Sequence, residues 1–217
     1  MEGIIYKVQA YQEHARLLFT YTPEGKVTLL AQGAQKVNHV NRILAQFLTK
    51  ISFKEGVKSF ITLQEAKIIN DYKLVKEDFN QTKSAALMLE IIDHLVVDNA
   101  NHELIYHELD LALSEDYLHV TAISFAIKML QELGYGLNLS PDGREIKGVS
   151  VKSGSLVYQN ESIPIDLDVK EAILLLKLSV MPYQALQELE DVSLDKIKMF
   201  VFKYYDYHLQ TTLKNLQ

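Results

Sequence analysis

Three histidines lie close together in the chain, and histidine is the side chain most often used for general acid–base catalysis and for metal binding. They are His94, His102 and His107. His102 and His107 are five positions apart, a spacing that separates two side chains on a helix by about 140°. Two ligands of one metal ion must lie on the same side of a helix. We therefore interpret the histidines as surface residues and predict no metal site.

Paired carboxylates are the second candidate chemistry. The acidic residues that come closest to such a pair are Glu108, Asp110, Glu115 and Asp116. Acidic residues near helix ends usually form a solvated face, and we favour that interpretation. The chain has no Cys and contains none of the motifs GxxxxGK[ST], GxSxG and HExxH, which excludes thiol catalysis and the commonest phosphate-binding and hydrolase sites. We predict a protein that is not an enzyme and that has no cofactor.

Lysine and arginine residues at the N-terminal end are better functional candidates. Residues 1–78 contain 11 Lys and Arg and 8 Asp and Glu, whereas residues 79–217 contain 11 and 20. A basic region on an acidic chain indicates an anionic partner for that region, although an ordinary solubilising surface is the alternative. The polar stretch 33–42 is expected to be a flexible loop. The residues that we predict to bind a phosphate backbone are Arg16, Lys26, Lys36, Arg42, Lys50, Lys54 and Lys58.

The elements that must position these cations are strands. The runs of strand-forming residues are 4–9, 15–21, 26–31, 47–53 and 59–65. The first run alternates with a period of two, which places successive side chains on opposite faces of a sheet. Pro23 and Gly25 favour a tight turn between the second and third runs. Several short strands at nearly regular spacing predict a small all-β barrel.

From about residue 73 the apolar residues recur every three or four positions, which is the period of a helix. The predicted helices cover about residues 79–97, 104–113, 120–133 and 168–180, and a last helix is capped by Ser193. Gly134 suits the end of the third helix. Glycine and proline residues predict a hairpin at about 138–165. We therefore predict an α+β protein with a β-barrel domain at 1–72 and a mostly α-helical domain at 73–217.

Nothing in the sequence indicates export or a membrane anchor. The N-terminus lacks the basic region and the apolar stretch of a signal peptide. The longest aliphatic block, Ala172–Leu176, is far shorter than the ~20 residues that a membrane helix needs. The absence of Cys fits a reducing compartment. We expect a soluble cytoplasmic protein.

Short motifs follow one another in order along nearly the whole chain. Near the N-terminus they are Glu2-Gly-Ile-Ile-Tyr-Lys7, Ala15-Arg-Leu-Leu-Phe-Thr20 and Gly25-Lys-Val-Thr-Leu-Leu-Ala-Gln-Gly-Ala34. Later motifs are Arg42-Ile-Leu-Ala-Gln-Phe47, Leu63-Gln-Glu-Ala66, the run from Phe125 to Tyr135 and the run from Tyr205 to Lys214. In this order and spacing they resemble the RecO family of DNA repair proteins.

The resemblance implies an N-terminal OB-fold, a helical domain and a role in DNA recombination after DNA damage. A RecO-like protein binds single- and double-stranded DNA and anneals complementary strands. It acts with RecR and the single-strand binding protein to load RecA, so the chain is expected at the nucleoid. The seven N-terminal cations are then the expected DNA-binding residues.

The family often carries a zinc insertion with four cysteines, and this chain departs from that pattern. The cysteine positions fall near Ser140, Gly143, Tyr158 and Glu161. None of these residues replaces a zinc thiolate. We therefore predict that residues 138–165 are held together by hairpin packing, without zinc.

The acidic tail of the single-strand binding protein is the usual docking peptide of the family. The acidic C-terminal part of this chain would repel such a tail at long range, so docking requires a local cation beside an apolar pocket. We predict that Lys128 supplies the cation and that Phe125 and Met129 supply the pocket.

Two other functions stay open on the sequence alone. One is a protein-interaction adaptor that does not bind DNA, which a mobility-shift titration with short single-stranded DNA would distinguish. The other is a metal-dependent hydrolase that uses the acidic residues, which an activity screen with divalent metals on nucleic acid would reveal.

Overall fold

The computed structural model describes residues 1–56 and 60–216, and the chain divides into two compact units, Met1–Asp110 and Leu111–Gln217. The first unit contains a curled six-stranded sheet, and helices and a small two-stranded sheet follow along the chain. This architecture confirms the predicted α+β class, with an N-terminal half-barrel consistent with an OB-fold. The predicted domain ranges 1–72 and 73–217 stay a prediction.

Three long antiparallel strands form the centre of the large sheet. They are β1 (Glu2–Tyr11), β2 (Ala15–Thr22) and β3 (Gly25–Ala31). The shorter strands are β4 (Lys50–Ser52), β5 (Phe60–Thr62) and β6 (Lys67–Asn70). The order across the sheet is β5-β3-β2-β1-β4-β6. Strand β5 runs parallel to β3, and the other pairings in this sheet are antiparallel.

The alternation of side chains between the two faces of the sheet builds its core. Ile5, Leu18 and Leu29 come from the three long strands and are fully buried, and burial of such aliphatic side chains is the main stabilisation of a sheet. The turn between β2 and β3 forms as predicted. Gly25 takes a φ of +119°, and the Thr22 hydroxyl donates a hydrogen bond of 2.8 Å to the Gly25 carbonyl.

The later strands differ in position from the prediction. The run 47–53 contributes only β4, because Leu48 adopts a left-handed conformation with φ +53°, which an extended strand does not allow. The run 59–65 contributes β5. Strand β6 has no counterpart in the prediction, since all four of its residues are exposed and lack the alternation that marks a half-buried strand.

Helices complete the first unit. They are α1 (Asn41–Leu44), α2 (Lys73–Glu77), α3 (Phe79–Leu95) and the beginning of α4 (His102–Leu113). The Asp78 carboxylate caps α3 by accepting a hydrogen bond of 2.8 Å from the Gln81 backbone N–H. The predicted apolar stripe of α3 is buried, with Met88 and Ile92 fully inaccessible to solvent.

The second unit contains three long helices, a hairpin and short 3-10 turns. The helices are α5 (Leu118–Glu132), α6 (Val169–Val180) and α7 (Asp195–Leu209), and the hairpin strands are β7 (Ile146–Ser150) and β8 (Ser155–Tyr158). The 3-10 helices are Tyr183–Leu189 and Lys214–Leu216. Gly134 follows α5 with φ +82°, as predicted. The prediction that Ser193 caps α7 is wrong, because the cap position falls one residue later and the Ser193 hydroxyl donates instead to the Asp195 carboxylate.

Candidate nucleic-acid interface

The seven cations predicted to bind DNA differ in what their side chains already contact. Some are engaged by carboxylates or carbonyl oxygens of the first unit, and others are exposed and have no such partner in the part of the chain that the structure describes. Lys58 lies outside the described residues. Which cations can meet a phosphate therefore depends on the contacts of each one.

Lys26 fastens a helix to the sheet. Its ammonium group donates hydrogen bonds to the carbonyl oxygens of Asp93 and Val96, at 3.0 and 2.7 Å, at the C-terminal end of α3. Such carbonyls have no partner within the helix and carry partial negative charge. Burial lowers the pKa of Lys26. A phosphate would have to displace both carbonyl oxygens, so we do not expect Lys26 to contribute to DNA binding.

Lys50 and Lys54 are paired with carboxylates. The Lys50 ammonium lies 2.8 Å from Asp110 and 3.8 Å from Glu2, and only 14% of its side chain is exposed. Lys54 forms an ion pair of 3.0 Å with Glu65, and both side chains are largely exposed. The charge of Lys50 is therefore offset within the protein, whereas Lys54 keeps access to solvent.

Lys36 and Arg42 are exposed, and among the residues that the structure describes neither has a side-chain partner. The sequence explains this freedom, since there is no Asp or Glu between residues 25 and 54. Both cations lie on residues 33–44, which we call the 33–44 segment and which connects β3 to β4 through α1. This segment is the part of the predicted interface with the most available positive charge.

The 33–44 segment is tied to the sheet by hydrogen bonds. The Gln35 side chain donates to the carbonyl oxygens of Gln12 and Ala15, at 3.1 and 2.7 Å. The Asn41 side chain donates to the Gln32 carbonyl at 2.8 Å. The expected flexible loop is therefore a series of hydrogen-bonded turns that ends in a short helix, because amide side chains anchor its backbone.

Arg16 joins the same group. Its guanidinium donates a hydrogen bond of 3.0 Å to the carbonyl oxygen of Ala45, the residue that follows α1. The side chain is half-buried. Only its Nη1 donates here, so a guanidinium with five N–H groups keeps more donors for a phosphate than Lys26, whose ammonium uses two of three. The structure therefore brings Arg16 to the end of the segment that carries Lys36 and Arg42.

Sequence reasoning missed three aliphatic side chains in this segment. Val37, Val40 and Ile43 are 77%, 70% and 63% exposed. We call these three residues the aliphatic ridge. Their regular spacing of three positions was the available signal, but the stretch was interpreted as polar because the charged and amide residues between them dominated the pattern.

The residues predicted to dock a partner's acidic tail lie on α5. Phe125 and Met129 are fully buried, so they belong to the core of the second unit and do not form a surface pocket. Lys128 is half-buried, and its ammonium lies 3.8 Å from the ring centroid of Tyr183. The apolar neighbour of this cation is therefore an aromatic ring distant in sequence, a contact that the spacing of residues on α5 does not reveal.

Two of the expected zinc-insertion positions, Tyr158 and Glu161, belong to a hydrogen-bonded cluster, and Ser140 and Gly143 lie outside it. The Arg144 guanidinium donates to Asp142 at 2.6–3.1 Å and to Glu161 at 2.8 Å, and it lies 3.7 Å from the ring centroid of Tyr158. Glu161 also accepts the Tyr158 backbone N–H. We call these four residues the Arg144 cluster. Their donor set does not fit zinc, because two carboxylates are engaged by an arginine and no thiolate is present.

Some of the histidines and carboxylates that suggested chemistry have structural contacts. His102 is half-buried and lies 3.1 Å from the Tyr21 hydroxyl and 3.0 Å from the Asp98 carbonyl. This differs from the interpretation of His102 as a surface residue. The Tyr117 hydroxyl donates to Glu115 at 2.8 Å. Within residues 1–56 and 60–216, no three His, Cys, Asp or Glu side chains are placed to hold a metal. No helix in that part of the chain has the length and apolar character to cross a membrane.

Comparisons with known proteins agree with one another. A family model described as Recombination protein O C terminal matches residues 76–217. The DNA repair protein RecO of Oceanobacillus iheyensis is 22% identical over 225 residues, which cover 95% of this chain and 86% of that protein. The DNA repair protein RecO of Bacillus mycoides is 29% identical over 140 residues, which cover 62% of this chain and 56% of that protein. The second match therefore spans little more than half of either protein.

Proposed function

The chain belongs to the RecO family of DNA repair proteins, and we propose that it binds single- and double-stranded DNA on its N-terminal sheet. In this proposal it anneals complementary strands and acts with RecR and the single-strand binding protein to load RecA. It works as a mediator without an enzymatic reaction, in the cytoplasm and on the nucleoid.

The observation that carries the DNA-binding proposal is the positive charge of the 33–44 segment, for which the described part of the chain supplies no side-chain partner. Lys36 and Arg42 are exposed, and the sequence around them from residue 25 to 54 contains no acid. DNA affinity that depends on phosphate contacts comes from cations that release condensed counterions. A lysine already paired within the protein contributes less, so Lys36, Arg42 and Arg16 are the proposed centre of the site.

Contacts of this kind position a strand without reading its sequence. Cations on one surface also reduce the repulsion between two phosphate backbones, which favours the meeting of complementary strands. The proposed annealing activity therefore needs no catalytic group. It needs a cationic surface from which the paired product can dissociate, and three available cations provide modest affinity.

The proposed partners are inferred from the family and from the acidic composition of the C-terminal part of the chain. Residues 79–217 contain 20 Asp and Glu against 11 Lys and Arg, so this part would not compete for phosphates. Lys128 beside Tyr183 is the proposed contact for the acidic tail of the single-strand binding protein. A Lys128→Glu variant should bind that tail peptide more weakly than the parent.

The experiment that tests DNA binding is a titration of single-stranded DNA at several salt concentrations. With three cations on phosphates, log K should fall with log salt with a slope of about −2. Lys36→Glu with Arg42→Glu should lower the affinity by about tenfold or more at low salt and flatten the slope. The matched control is Lys152→Glu with Lys170→Glu, two exposed lysines of the second unit. If both double variants behave alike, the site lies elsewhere, and if the parent binds no DNA, the adaptor function is favoured.

A further inference from the structure

The aliphatic ridge is unusual because its three members lie within seven consecutive residues. Single exposed aliphatic side chains are common on protein surfaces. Val37, Val40 and Ile43 are instead spaced at three positions and are each more than 60% exposed. A regular row of this kind calls for an explanation other than chance exposure.

The backbone of the 33–44 segment presents the ridge in a defined way. Backbone hydrogen bonds join Gly33 to Lys36, Lys36 to His39, His39 to Arg42 and Val40 to Ile43, at 2.9–3.3 Å. Each bond closes a four-residue turn, in which Val37 and Val40 take the second position and Ile43 ends the last turn. Ala34 and Leu44, near the two ends, are buried in the core of the sheet. The buried side chains near the two ends therefore fix the segment to the core, while the side chains of the ridge stay exposed.

Each member of the ridge directly follows a nitrogen-bearing side chain. Lys36 precedes Val37, His39 precedes Val40, and Arg42 precedes Ile43. His39 is half-buried against Gly33 and accepts the Asn41 backbone N–H. The segment thus presents two exposed cations beside the aliphatic ridge, with no acid in its sequence. A ligand that matches them has negative charges and apolar groups close together.

We propose that the aliphatic ridge contacts the unpaired bases of single-stranded DNA while Lys36 and Arg42 contact its phosphates. This inference rests on the proposed DNA-binding function and adds the form of DNA that the site prefers. In a duplex the base faces are stacked inside, and the outer surface offers phosphates and sugars. In a single strand the base faces are accessible, and contact with them removes apolar surface from water. The ridge therefore gives this site a preference for unpaired over paired DNA.

The test compares three ligands of equal length: oligo(dT), an abasic strand with the same phosphates, and a duplex. The parent should bind oligo(dT) about tenfold more tightly than the abasic strand, because only the former offers base faces. Val37→Thr, Val40→Thr and Ile43→Thr, combined in one variant, should remove most of this preference. The affinity of that variant for the abasic strand and its salt slope should stay unchanged, since both cations remain.

The control variant changes the same residue types elsewhere. Val97, Ile173 and Val180 are 59%, 55% and 68% exposed, and their replacement by Thr should leave the preference for oligo(dT) intact. The melting temperature of each variant verifies folding. If the ridge variant does not fold, Val37→Thr alone, at the most exposed position, should still reduce the preference measurably.

The outcomes separate this inference from the proposed function. If the parent shows no salt-dependent binding to any of the three ligands, the proposed function is overturned and the ridge proposal with it. If the parent binds with the expected slope and the ridge variant keeps its preference for oligo(dT), only the ridge proposal is overturned. Loss of RecR binding by the ridge variant, with DNA preference unchanged, would identify the ridge as a protein-docking surface and would also overturn it.

Discussion

The 33–44 segment and the Arg144 cluster both place arginine at the surface, with opposite results. In the cluster the guanidinium is bound by two carboxylates and covers a tyrosine ring. In the segment Arg42 has no such partner among the described residues. The first arrangement uses positive charge to hold a hairpin together, and the second leaves it for a ligand. A cation indicates function only when its own contacts leave its charge available.

The difference between the two regions comes from the distribution of acids. Asp142 lies two residues before Arg144, and Glu161 is brought close by the β7–β8 hairpin. Around Arg42 the chain has no acid from residue 25 to 54, and within residues 1–56 and 60–216 no acid contacts its side chain. An intramolecular carboxylate is always at high effective concentration, so it competes well against an external phosphate. Local absence of acids therefore decides which arginine remains available.

The largest effect on stability is expected for Lys26→Met, which tests whether an engaged cation has a structural role. The change removes two hydrogen bonds to carbonyl oxygens at the end of α3. The free energy of unfolding should fall by about 1–2 kcal/mol, measured by chemical denaturation. DNA affinity should change by less than about twofold, as the charge of Lys26 does not reach phosphates. Lys67→Met, at an exposed strand position, is the control for loss of one positive charge, and a loss of DNA affinity confined to Lys26→Met would contradict this assignment.

The next effect is expected for Arg144→Met, which should lower the melting temperature by a few degrees without changing DNA affinity. The variant loses the bonds to Asp142 and Glu161 and leaves two carboxylates facing each other. Arg144→Lys should restore only part of the loss, because an ammonium group does not match the two carboxylates with a planar fork. A drop in DNA affinity in either variant would show that the cluster takes part in the interface.

The same cluster predicts a dependence on pH. Hydrogen bonds from Arg144 lower the pKa of Asp142, and the Tyr158 N–H together with Arg144 lowers the pKa of Glu161. Such carboxylates stabilise the folded state above their ordinary pKa values of 3.8 and 4.5 and lose that contribution as pH falls through the lowered values. The difference in melting temperature between the parent and Arg144→Met should be complete at neutral pH and shrink below about pH 4. A difference that persists unchanged in acid would mean that the cluster acts by packing alone.

The sequence predicts elements better than it predicts contacts between them. The α3 stripe, the turn at Gly25 and the end of α5 at Gly134 follow from local period and residue type. The engaged cations do not, because Lys26 meets a carbonyl 67 positions away and Lys50 meets a carboxylate 60 positions away. Partners at such separations depend on the tertiary structure. The sequence therefore predicts a site of seven equivalent cations. The contacts in the structure engage several of them and leave fewer for phosphates.

A smaller effect is expected when a carboxylate is added to the 33–44 segment. Asn38→Glu places an acid between Lys36 and Arg42 and makes the segment resemble the Arg144 cluster. DNA affinity should fall about threefold to fivefold at low salt although both cations remain, and the salt slope should become shallower. Asn160→Glu adds the same charge at an exposed position of the second unit and should have less effect. Equal losses in both variants would attribute the effect to net charge and not to the segment.

The smallest effect is expected from converting a paired cation into an available one. Lys54 and Glu65 form an exposed ion pair, and such pairs contribute little to stability. Glu65→Gln should therefore leave the melting temperature unchanged while it releases Lys54, raising DNA affinity about twofold and steepening the salt slope by about 0.7. Glu24→Gln, at an exposed position of the same unit, controls for net charge. In a Lys54→Met background the gain from Glu65→Gln should disappear, because no ammonium is left to release. If the gain persists there, loss of the acid acts through the general field of the protein, and pairing would not be what distinguishes Lys54 from the cations of the 33–44 segment.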